Sequence, residues 1–77
     1  MVNPHQSKAA LSMGLALSSL TPLDLVAQCA GIGDHISPGK LERMLTTSAP
    51  RSDIEHDVVA CALNEHLVDE GMDHPVP

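Results

Sequence analysis

The sequence predicts an all-α fold, a small bundle of four short helices around a tri-helical core. Three observations lead there. A hydroxyl residue precedes proline at Thr21-Pro22 and at Ser37-Pro38, which places a side-chain acceptor at the N-cap and a residue without an N–H at the first helical position. Apolar residues after these marks recur at spacings of three and four, the period of a helix with one buried face. No stretch alternates apolar and polar residues over the length of a strand.

Seventy-seven residues accommodate one domain, which we place at residues 7–71 between a flexible N-terminus (1–6) and a flexible tail (72–77). A chain of this length buries a modest share of its surface and is marginally stable. Phe, Tyr and Trp are absent, so the core must come from ten leucines, six valines, three isoleucines, four methionines and the alanines. Small aliphatic domains gain burial by pairing with a copy of themselves or with a partner. The two cysteines, with no convincing export signal, are expected as buried thiols in a reducing cytoplasm. Ala9 to Leu20 is apolar but too short to span a bilayer, and Ser12, Gly14, Ser18 and Ser19 dilute it as a signal peptide.

Helix one is expected from near Ser7 to about Ser19, with Ala9, Ala10, Met13, Ala16, Leu17 and Leu20 turned inward. Leu11 and Leu15 make it apolar on much of its circumference. Ala10, Gly14 and Ser18 form a line of small residues that lets another helix approach closely, either within the chain or from a second copy in a homodimer. Gly14 costs about 1 kcal/mol of helix propensity, so the close approach should compensate for it.

Helix two spans about Pro22 to Ala30. Asp24 can reach back to Thr21 in a capping box, and Leu23, Val26, Ala27 and Ala30 are expected inward. Gly31 is expected as the left-handed residue that ends it. Ile32 and Ile36 then plug the core from the connection. Helix three runs from Pro38 to about Thr47 with Leu41, Met44 and Leu45 inward, and Pro50 closes that region. Helix four has Ser52 as its cap and Glu55 completing a capping box. Ile54, Val58, Val59, Ala62, Leu63 and Leu67 form its apolar face, and Gly71 ends it.

Charge narrows the function. The net charge is −6, and Lys8, Lys40, Arg43 and Arg51 are the only basic residues besides the histidines. From Ser52 onward there is no Lys or Arg but seven carboxylates. This disfavours nucleic acid as the main partner, since phosphates require clustered cations. In helix four, Asp53, Glu55 and Asp57 sit at the end that the helix dipole favours for negative charge. Glu65, Asp69 and Glu70 sit at the end it disfavours. Such a cluster serves either solubility or a basic protein partner. For the second case the partner-binding candidates are Glu65, Asp69 and Glu70, with Leu67 and His66 beside them. No metal site is expected, because His5, His35, His56, His66 and His74 are scattered and Cys29 is far from Cys61. Gly31 and Gly33 lack the strand and the lysine of a phosphate loop. We therefore expect no enzyme activity and no cofactor.

Residues 24–45 carry one resemblance. Leu25-Val26-Ala27, Ala30-Gly31-Ile32 and then Leu41, Arg43, Met44 and Leu45 resemble the core of a helix-turn-helix regulator, with Ala27 and Gly31 at the family's alanine and turn glycine. The connection is longer than the family's tight turn. The resemblance implies a tri-helical fold and, as an alternative function, a DNA reader that uses residues 37–47, with Lys40, Arg43 and Arg51 as contacts. In size and charge the chain is also similar to the small antiactivators and antirepressors of bacterial quorum sensing, mobile elements and phages. The leading expectation is a small cytoplasmic regulator that binds and inhibits a DNA-binding transcription regulator.

Overall fold

Local caps set the four helices of the computed structural model, which describes residues 3–31, 36–73 and 75–77. Helix α1 covers Pro4–Ser18. It begins before Ser7 because the Asn3 side chain accepts from the His5 and Gln6 amides and Pro4 takes the first position. Helix α2 covers Pro22–Gly31. Its capping box is reciprocal: the Asp24 amide donates to Thr21 Oγ1 and the Thr21 amide donates to Asp24 Oδ2, both at 3.1 Å. Helix α3 covers Pro38–Thr46 behind Ser37, whose Oγ accepts from the Lys40 amide. Helix α4 covers Asp53–Asp69 and opens with the Ser52–Glu55 box.

The end of α2 also differs from expectation. Gly31 is the last residue of α2 and is not left-handed; among the described residues, positive φ occurs at Ser19 (61°) and Gly71 (90°). Ser19 makes the turn from α1 to α2, where no glycine is available, and Ser18 Oγ accepts from the Leu20 amide across it. At the end of α4 the Gly71 amide donates to the Val68 carbonyl and the Met72 amide to the Leu67 carbonyl, both at 2.9 Å. These two bonds with a left-handed glycine form a Schellman motif. Of the expected connection, Ile36 packs against the core, while Ile32, Gly33, Asp34 and His35 lie outside the described residues, as does His74.

Each of α1 and α2 packs on both α3 and α4, and α1 against α4 is the largest of these contacts. The radius of gyration is 11.0 Å, close to the value of about 11.5 Å expected for a folded chain of this length. Leu11, Leu25, Cys29, Leu41, Met44, Val59, Leu63 and Leu67 form the centre of the core. Helices α3 and α4 bury the expected faces, apart from Ile54, which is 72% exposed near the start of α4.

Helices α1 and α2 bury other faces than the sequence suggests. Helix α1 turns Ser7, Leu11, Gly14 and Ser18 inward and leaves Ala9, Met13, Ala16 and Leu17 exposed. Helix α2 buries Leu25 and Cys29, while Leu23 is 71% exposed. Both helices are apolar nearly all round, so periodicity does not select a side. The close approach of α4 to the small residues of α1 does.

Residues 75–77 complete the packing as a strap laid across α1 and α4. Asn64 holds the main chain of Val76 from both sides: its Nδ2 donates to the Val76 carbonyl at 2.8 Å, and the Val76 amide donates to its Oδ1 at 2.9 Å. The Val76 side chain is buried over Gly14. A Cβ at position 14 would stand 2.5 Å from Val76 Cγ2 and 3.1 Å from Leu63 Cδ1. The small-residue line of α1 therefore receives α4 and the strap of the same chain. The tail that composition marks as a flexible extension has its last residues packed into the bundle.

Candidate functional site

The outer face of α4 repeats every four residues: Asp57, Cys61, Glu65 and Asp69 form one exposed row. The row borders an open groove of about 660 Å³ with Ala60, Cys61, Val68, Val76 and Pro77 supplying apolar surface. The strap forms the opposite wall. Among the described residues, no ion pair or hydrogen bond engages the side chains of Asp57, Glu65 or Asp69. Three carboxylates thus flank an apolar trough, and the two nearest the helix C-terminus also oppose its dipole.

This arrangement divides the residues that the sequence grouped together. Glu65 and Asp69 stand on the groove. Glu70 turns away to pair with His66, whose Nε2 also faces the Ser18 carbonyl at the end of α1. His66 is thus half-buried and engaged within the chain. Leu67 is fully buried and cannot anchor a partner, which corrects its place among the partner-binding candidates. Asp57 joins the row instead. The spacing 57, 61, 65, 69 was the available signal for it. Cys61, expected as a buried thiol, is exposed in the middle of the row, whereas Cys29 lies in the core.

A buried polar node closes the other side of α4. Ser7 and His56 are 2% and 8% exposed, with Ser7 Oγ 2.6 Å from His56 Nδ1. His56 Nε2 lies 3.1 Å from the Pro77 carbonyl, which can only accept. The proton is therefore assigned to Nε2, and Nδ1 accepts from the Ser7 hydroxyl. Arg51 adds the third member, its Nη1 donating to Ser7 Oγ at 3.4 Å. In the sequence His56 is one of five scattered histidines; its partners are far away along the chain, and spacing carries no signal for them. The serine–histidine pair lies inside the seam between α1 and α4, with the Pro77 carbonyl against it.

Arg51 is also the correction to the DNA-reading alternative. It is 7% exposed and donates to the Met44, Thr47 and Ala49 carbonyls, so it finishes α3 rather than presenting a cation. Burial lowers its pKa, partly offset by Glu55, and the guanidinium stays charged. Lys40 pairs with Glu55 at 3.1 Å, bracing α3 against the start of α4. The Ser52 amide, followed by Lys40, holds the Glu55 carboxyl below its ordinary pKa. Arg43 remains exposed on α3. Of the three cations proposed for DNA, one is buried, one is paired, and one faces solvent.

The groove can do simple chemistry: desolvate an apolar side chain while neighbouring carboxylates neutralise cations beside it. Among the described residues no single helix is long and apolar enough to cross a membrane, and the apolar pair α1–α2 is bent by 98°. No family model matches the chain, and no curated protein and no solved structure matches it.

Proposed function

We propose that this chain is a small acidic interaction module that binds and inhibits a DNA-binding transcription regulator through the outer groove of α4. The observation that carries this reading is the row Asp57, Glu65 and Asp69, three carboxylates that no ion pair or hydrogen bond engages among the described residues, set beside an apolar floor. Among the described residues no ion pair offsets the repulsion of Glu65 and Asp69 from each other and from the helix terminus. A basic segment carrying an apolar residue would relieve the repulsion and cover the floor at once. Surfaces that bind DNA phosphates are basic for the same electrostatic reason, so a module that covers one competes with DNA.

The test is a capture from nuclease-treated lysate, followed by a gel-shift assay with the purified captured protein. The wild-type chain should capture a transcription regulator and release it from DNA. The double variant Glu65→Lys/Asp69→Lys should bind that regulator at least about tenfold more weakly, the size of losing one or two charge contacts. Recovery of DNA fragments that is lost on nuclease treatment and on Arg43→Ala would overturn the proposal.

A further inference from the structure

We infer that the seam between α1 and α4 is a docking slot for an extended main chain, held in cis by residues 75–77 and open to a basic extended segment of the partner protein. The inference rests on the acidic groove being a docking surface, and it names how that surface is gated and what enters it.

Two contacts in the slot read backbone rather than side chain. Asn64 offers one donor and one acceptor to the amide and carbonyl of a single residue, here Val76. His56 Nε2 donates to the next carbonyl, that of Pro77. Main-chain pairing of this sort accepts many sequences and takes its selectivity from side-chain pockets. The pocket here is the notch over Gly14, deep enough for a small branched side chain and closed by any Cβ at position 14. A glycine inside a helix costs about 1 kcal/mol relative to alanine, and the notch is what that cost provides.

The cis occupant fits the slot but not the groove beyond it. Val76 and Pro77 form one wall of the groove, so a segment lying in the slot runs beside Asp57, Glu65 and Asp69. Residues 75–77 themselves, Pro-Val-Pro, bring no cation to them. A longer segment with the same register and flanking lysines or arginines would keep the main-chain bonds, fill the notch and neutralise the row. Residues 75–77, held by three hydrogen bonds to Asn64 and His56 and by the buried Val76 side chain, act as an intramolecular competitor for the slot.

The experiment uses the full chain and two fluorescent peptides, Lys-Lys-Pro-Val-Pro-Lys-Lys and Gly-Gly-Pro-Val-Pro-Gly-Gly, titrated by anisotropy. Val76→Asn puts a polar group in the notch without adding charge and should free the strap while circular dichroism shows the helices intact. The charged peptide should bind this variant about tenfold more tightly than wild type, and Asn64→Leu in the same background should remove the gain. If Val76→Asn unfolds the bundle, Val76→Ala carries the same prediction with a smaller gain. Equal binding to wild type and variant, or a gain that survives Asn64→Leu, overturns the slot. Equal binding that is weakened by Glu65→Lys/Asp69→Lys overturns the slot and leaves the acidic groove standing. An Asn64-dependent gain for both peptides, unaffected by that charge reversal, supports the slot and removes the groove.

Discussion

Along its inner face α4 sets His56, Val59, Leu63 and Leu67 at spacings of three and four, and the bundle buries each of them. Along its outer face Asp57, Cys61, Glu65 and Asp69 follow the same period in solvent. Inside, among the described residues, no buried side-chain nitrogen or oxygen lacks a hydrogen bond. Outside, three like charges stand in one row that no counter-charge engages among the described residues, and two of them oppose the helix dipole. The contrast separates residues whose replacement costs stability from residues whose replacement should cost binding.

The largest effect is expected where a buried polar group is removed. Arg51→Met keeps most of the side-chain volume but strands the Met44, Thr47 and Ala49 carbonyls and one acceptor site of Ser7. It should destabilise by about 3 kcal/mol, read as a lower midpoint in urea with an unchanged slope. Stability within about 0.5 kcal/mol of wild type would show that the inner polar node is ornamental, and the contrast would lose one side.

A smaller and more selective effect is expected at Gly14. Gly14→Ala gains up to about 1 kcal/mol of helix propensity and displaces Val76, the nearest neighbour of the new methyl. Global stability should stay within about 1 kcal/mol of wild type, while the Val76 methyl resonances move to solvent-exposed shifts. Loss of the whole fold would mean that the strap belongs to the core rather than lying over it.

The smallest effect is a pH dependence at the start of α4. The folded-state pKa of Glu55 is lowered from 4.5 by its bond to the Ser52 amide and by Lys40. Its contribution is therefore present above about pH 4.5 and is lost as the pH falls through the lower folded value. Because Glu55 is partly exposed, solvent screens the effect. Glu55→Gln should flatten the fall in melting temperature below that pH and change little at pH 7. An equally steep fall in the variant would assign acid sensitivity to other carboxylates.

Much of this fold is written locally. Thr21 with Asp24, Ser37, Ser52 with Glu55, and Gly71 act within a few residues of their own positions, so spacing alone identifies them. The buried faces of α3 and α4 are legible because charged residues mark the other sides. Helices α1 and α2 carry too little polar contrast for that. Their orientation follows from what packs on them, as Leu63 and Val76 do on Gly14. The node of Ser7, His56 and Arg51 joins α1 to the start of α4, and no local pattern announces it. The acidity of α4 is plain in composition, but its division is not. Glu70 is drawn to His66 and Asp57 enters the row only once the helix is built.

The most direct test of the contrast is the thermal unfolding of Glu65→Lys/Asp69→Lys beside wild type. If the outer row has no structural duty, the double variant should melt at the same temperature or about 2 °C higher, because cations near a helix C-terminus suit its dipole. A melting temperature several degrees lower would show that the row helps hold the bundle, and the case for a docking face on α4 would fail.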